Sequence, residues 1–257
     1  MIGKARQQGN NAVVVKARSS AVRTAATATG LLRELQARRD PDRARMSQRF
    51  FKTGPGQYGE GDQFLGLTVP MLRSVARQHL GLELAEAGKL LQSDWHEARL
   101  LALLIMVGQY QRAEAAQQLA IYRLYMRSTA YINNWDLVDA SASHIVGAHL
   151  QQRTRTPLLR FARSGNVWRR RIAILATFHY IKQGEFAETL RLAELLLQDE
   201  HDLIHKAVGW MLREVGKRDQ AVEEGFLKTH AARMPRTMLR YAVERFAPAV
   251  RQHYLQR

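Results

Sequence analysis

From Leu31 onward apolar residues return at spacings of three and four, and strand-like alternation over six or more residues is hard to find. That periodicity predicts amphipathic helices. Prolines fall where helices start or chains connect: Pro41 follows Asp40, Pro70 lies two residues after Thr68, Pro157 follows Thr156, and Pro55, Pro235 and Pro248 sit in or near connections. Asp94 with Glu97 reads as a capping box, and Asn134 and Asn166 read as N-caps.

The helices predicted to begin at Trp95, Trp135, Trp168 and about Leu203 are offset by 40, 33 and 35 residues, and another follows Pro235 roughly one period later. Units of this length, each unable to bury its apolar stripe alone, stack into a curved array. The expected fold is therefore all-α, a curved solenoid of antiparallel helix pairs with a concave groove. A non-repetitive helical bundle is the alternative, because similarity between the units is weak.

Composition changes the picture by adding a partner. The 257 residues, 46% apolar, suffice for one domain of ordinary size. Lys and Arg number 39 against 23 Asp and Glu, a net charge of +16, which calls for a polyanion and puts nucleic acid first. Lys4, Arg6, Lys16, Arg18 and Arg23 occupy residues 1–30, with no acid among them. This segment reads as a basic, disordered arm. Its acid-poor composition also suits a transit peptide, but nothing else in the sequence supports import. Residues 31–257 form the expected helical-repeat domain and keep 34 basic against 23 acidic residues, so the body is itself basic.

Cysteine is absent, which removes disulfides, thiolate nucleophiles and sulfur-ligated zinc. The longest apolar run, Leu100 to Val107, is too short to span a bilayer. A cytoplasmic monomer with no membrane contact is expected.

Candidate chemistry lies at helix starts that mix aromatic and charged residues. Trp135 and Asp139, four apart, share a helix face. Lys206, Trp210, Arg213 and Lys217 step by four, three and four, a stripe of three cations around one indole, suited to a phosphate backbone with a sugar or base against the ring. Arg169, Arg170 and Arg171 add guanidiniums after Trp168, near a helix N-terminus that also favours an anion. Each feature has a plainer reading, as core tryptophan or solvated ion pair. Recurrence at three successive helix starts favours a shared concave wall.

His201 and His205 have metal-ligand spacing, but no Glu of a His-Glu-x-x-His motif and no third ligand accompany them. No metal and no cofactor are expected. The glycine-rich run Gly54 to Asp62 lacks the Gly-Lys-Ser/Thr ending of a phosphate loop and reads as a shaped surface loop.

Four ordered segments carry a family resemblance: Phe50 to Thr53 with Tyr58 to Gly66, Asn133-Asn134-Trp135-Asp136-Leu137-Val138-Asp139, Trp168 to Leu175, and His205 to Lys217. Together, over about residues 42–255, they resemble the AlkD family of DNA alkylation repair proteins, which are built of HEAT-like repeats. The resemblance implies a DNA glycosylase that removes N3-alkyladenine and N7-alkylguanine from double-stranded DNA while leaving the damaged base stacked, unlike base-flipping glycosylases. It also implies that Trp135, Asp139, Arg171 and Trp210 line the concave surface. In that role Asp139 opposes the charge that builds on the sugar, the indoles of Trp135 and Trp210 face the polarised sugar, and Arg171 clamps a phosphate. Arg170, Lys206, Arg213 and Lys217 complete the expected DNA contacts. Phe50-Phe51 stands where compact members carry a tyrosine, and the Gly54 to Asp62 loop is longer than theirs.

Two other functions remain open. One is a non-catalytic binder of branched or damaged DNA on the same groove, and the other a protein-interaction scaffold.

Overall fold

A computed structural model of the protein describes residues 26–256. Most of the expected basic arm, residues 1–25, lies outside the described residues. Helix α1 (Ala28–Ala37) starts inside the arm's assigned span, with Thr27 as N-cap and Ala28 and Leu31 buried, so residues 28–30 belong to the folded body.

The described residues form helices, with a single isolated bridge between Gln63 and Trp95 in place of any strand. After α1 come α2 (Pro41–Phe50), α3 (Val69–Gln78), α4 (Leu84–Leu91), α5 (His96–Tyr110), α6 (Ala115–Arg127), α7 (Trp135–Asp139) and α8 (Ala148–Leu150). The C-terminal half contains α9 (Thr156–Ala162), α10 (Val167–Ala176), α11 (Phe178–Ile181), α12 (Ala187–Leu195), α13 (Asp202–Gly216), α14 (Gln220–His230), α15 (Arg236–Ala242) and α16 (Pro248–Leu255). Helix α3 packs on α5, α5 on α7, α7 on α10, α10 on α13 and α13 on α15, while α4, α6, α9, α12 and α14 back onto this row. The result is a helical solenoid whose inner row runs α3, α5, α7, α10, α13, α15. One continuous apolar core, from Ala28 to Tyr254, fills the space between the rows.

Local signals explain most helix starts. The Asp40 carboxylate accepts from Arg43 N–H at 3.0 Å ahead of Pro41, and Asn166 Oδ1 accepts from Trp168 and Arg169 N–H at 2.9 and 3.1 Å. The expected capping box at Asp94 is not formed. Trp95 occupies the cap without a side-chain bond, and Glu97, 3% exposed, instead accepts the backbone N–H groups of Leu65, Gly66 and Leu67 at 2.9, 2.7 and 3.1 Å. Three amides of the connecting segment outcompete the helix's own terminus for this carboxylate.

Close packing along the inner row depends on glycine at Gly209, where a Cβ would meet the Met238 carbonyl oxygen at 2.4 Å. Directly after α7 the chain makes a π-turn over Ser143–Gly147, the kind of helical irregularity that re-aims side chains near functional sites. Among the described residues no helix is long and apolar enough to cross a membrane.

Candidate active site

Four helices of the inner row converge on one cleft of about 530 Å³, lined by Trp135 and Asp139 of α7, Arg171 of α10, Lys206, Trp210 and Arg213 of α13, and Tyr241 of α15, with Phe50, Lys52 and Tyr58 closing one side. Neighbouring turns of the spiral thus bring together residues more than a hundred positions apart.

At the floor, Arg171 donates from Nε to Asp139 Oδ1 at 2.9 Å and from Nη2 to Oδ2 at 2.8 Å. Its Nη1 donates to the Leu203 carbonyl at 2.6 Å. This fork fixes the carboxylate plane while each oxygen keeps a further lone-pair direction for a cleft ligand. The side chain of Asp139 stays 19% exposed, that of Arg171 only 6%. Burial pushes the Asp139 carboxyl above its usual range against the pull of Arg171, and nearby Asp136 adds to the rise. A more basic carboxylate is the better hydrogen-bond acceptor for water.

The expectation that Arg171 clamps a phosphate changes with this geometry. Three of its N–H bonds are already directed to Asp139 and Leu203, and the side chain is buried, so it holds the acid in place rather than reaching for the backbone.

Trp135 starts α7 because Asn134 Oδ1 accepts its N–H at 2.9 Å. Its ring stacks on Phe51 with centroids 5.2 Å apart and meets the edge of Phe50 at 5.9 Å. Phe51 in turn stacks on Phe64, and Phe64 on His96. Phe50, 66% exposed, presents apolar surface to the cleft mouth. Across the cleft, Trp210 tilts against Phe178 at 5.9 Å and donates its indole N–H to Glu214 at 3.2 Å. Trp168 differs from both, being 6% exposed and part of the core, so the recurrence read from sequence holds for two of its three tryptophans.

The cations divide. Lys206 and Arg213 line the cleft, each steadied by an acid, Asp202 at 2.7 Å and Glu244 respectively. Lys217 lies one turn further along α13, pairs with Glu214 at 2.7 Å and faces a different pocket. Arg170 turns the other way and is held by Asp199 at 2.6 Å and the Ser164 carbonyl at 2.9 Å. Neither belongs to the cleft, because successive helix positions point about 100° apart and only some can share a ligand. His201 and His205 serve α13 itself: His201 Nδ1 accepts from Leu203 N–H at 3.1 Å, and His205 bonds the Asp199 carbonyl.

The glycine-rich loop contributes more than a surface. It delivers Tyr58 to the cleft, with the hydroxyl donating to the Phe50 carbonyl at 3.4 Å and the ring edge against Trp168. A buried charge network secures its far end. Asp62 accepts from Arg99 at 2.5 Å and from Asn134 at 3.1 Å, and His96 bridges Asp62 and Asp136 at 2.8 Å each. Burial disfavours charge on His96, but the Asp136 and Asp62 carboxylates outweigh it and raise its pKa to about 9. Since Asp136 follows Trp135, the same network fixes the loop and the start of α7. Sequence reasoning assigned no site role to Tyr58 or His96; the signals for Tyr58 were its place in one of the segments that carry the family resemblance and its being an aromatic residue inside a loop rich in glycine.

With this geometry in view, comparison with known proteins gives a family. A model of the DNA alkylation repair enzymes matches residues 31–246, and the chain belongs to that family. Among solved structures, a protein of Enterococcus faecalis described as a predicted DNA alkylation repair enzyme superposes with a TM-score of 0.66 at 18% identity, over 82% of this chain and 97% of its own. At that identity the likeness concerns the fold. The smu.31 protein of Streptococcus mutans UA159 gives a TM-score of 0.48 at 16% identity, over 86% of this chain and 100% of its own. No functionally curated protein matches the chain.

Proposed function

We propose that the chain is an AlkD-like DNA glycosylase, a cytoplasmic monomer that hydrolyses the N-glycosidic bond of cationic N3-alkyladenine and N7-alkylguanine in double-stranded DNA while the base stays stacked. The observation that carries this reading is the Asp139 carboxylate, clamped by Arg171 at the floor of a cleft flanked by two indoles and the cations Lys52, Lys206 and Arg213.

An alkylated purine of this kind already carries positive charge, so the glycosidic electron pair leaves onto it without a general acid. As that bond breaks, C1′ gains oxocarbenium character. Asp139 opposes the growing charge and orients a water, whose oxygen adds to C1′ while its proton passes to the Asp139 carboxylate, a role like that of one carboxylate of a glycosidase pair. Trp135 and Trp210 present ring faces to the polarised sugar, each a cation–π type contact of roughly 0.5–2 kcal/mol. Arg171 is a positioning residue that holds the acid. Lys206 and Arg213 meet the backbone. A single carboxylate is sufficient because the leaving group activates itself.

The test is release of 7-methylguanine from duplex DNA. Asp139→Asn is expected to slow release at least about tenfold, roughly 1.4 kcal/mol, with duplex affinity nearly intact. Wild-type release no faster than spontaneous loss of the base would leave a non-catalytic DNA binder as the better description.

A further inference from the structure

Asp139 has a second neighbourhood. Besides the aromatic cleft it lines an adjoining groove of about 380 Å³, whose other walls are α3, the end of α5 and the π-turn after α7. Three guanidiniums border it: Arg73 and Arg77 of α3, and Arg112 just past α5. All three are exposed. Among the described residues none of them has an acid within salt-bridge distance; Arg112 donates to the Gly108 carbonyl at 2.9 Å. The one carboxylate in the groove, Asp139, already belongs to Arg171.

Such a surface carries uncompensated positive charge. His144 lies in the same groove, where burial lowers its pKa first and Lys182, His179 and Arg73 lower it further. Arg73 and Arg77 are four residues apart on one helix, so their Cβ atoms lie about 5–6 Å from each other on a single face. Long arginine arms from that spacing suit consecutive backbone phosphates, with bidentate N–H forks matched to phosphate oxygens.

We infer that the Arg73, Arg77 and Arg112 groove is a phosphate track for a DNA strand, so that the strand crosses Asp139 with its reacting nucleotide in the aromatic cleft and its next phosphates in this groove. The inference rests on the proposed DNA-glycosylase reading and adds to it the path of the backbone on the α3 side. Sequence spacing gave no hint of it, since Arg73, Arg77 and Arg112 accompany no tryptophan and belong to two different turns of the spiral.

The experiment measures affinity of the full chain for an unmodified duplex as a function of salt, beside single-turnover release of 7-methylguanine at saturating protein. Replacing all three arginines by glutamine (R73Q, R77Q, R112Q) is expected to flatten the log–log salt slope by roughly 2–3 units and weaken low-salt binding at least about tenfold. The saturated excision rate separates this loss of affinity from the chemical step, because no replaced side chain touches the reacting sugar. Arg123→Gln, an exposed arginine of α6 that lines neither cleft, controls for net charge and should leave the slope within a few tenths. A triple variant that keeps the wild-type slope, or one no weaker than R123Q, overturns the phosphate track even if excision is intact. A wild-type protein that binds duplex through these arginines but releases no base overturns the glycosylase reading and leaves the track standing.

Discussion

On the α13 side of Asp139 the helix-borne cations come with acids, Lys206 with Asp202, Arg213 with Glu244, Arg171 with Asp139 itself; on the α3 side Arg73, Arg77 and Arg112 have no acidic partner among the described residues. The two halves of one concave surface therefore spend positive charge differently. A paired guanidinium has its geometry set before any ligand arrives, which suits a place where a carboxylate must meet a developing charge within fractions of an ångström. An unpaired one keeps its field and its counterions, which suits a place where release of those counterions drives association. Chemistry and affinity are in this way assigned to different turns of the same spiral.

The contrast can be broken most sharply at Arg171. Arg171→Ala leaves the Asp139 carboxylate buried without its partner, and unfolding by urea should show a loss of about 3–5 kcal/mol, whereas the α3-side arginines cost little when replaced. Equal destabilisation on both sides would erase the distinction. A second, intermediate effect concerns the His96 bridge that fixes α7 and the loop. Its folded pKa of about 9 lies above the unfolded value near 6.5, so its stabilisation is complete below pH 6.5 and disappears as pH rises through about 9. Stability measured between those limits should fall by at most about 1.4 kcal/mol per pH unit, and His96→Gln should remove that slope. The smallest effect is expected at Lys217, paired with Glu214 outside the cleft. Lys217→Gln should change stability by less than about 1 kcal/mol and leave 7-methylguanine release unaltered.

Much of the site was legible because helix geometry is local. Trp135 and Asp139 on one face, and Lys206, Trp210 and Arg213 on another, follow from spacings of three and four, and all five reach the cleft. Where the reading went astray, a side chain had more than one partner to choose from. Lys217 satisfied the same spacing rule and was drawn off by Glu214, and Arg170, in a run of three arginines at a helix start, was drawn off by Asp199. Glu97 stood where a capping box belongs and was taken by three amides some thirty residues earlier in the chain. Tyr58 sat in a loop whose path depends on that capture and on Asp62, neither visible in a linear pattern.

By itself the sequence determined the helices, their repeat and the sign of the charge, since periodicity, caps and composition act over a few residues or over the whole chain at once. The tertiary structure alone decided which cations are neutralised, where the glycine-rich loop lies, and that Asp139 borders two clefts rather than one. Those outcomes rest on contacts between residues tens of positions apart, where several partners compete for each charged group and only the packed arrangement of the turns says which one is within reach.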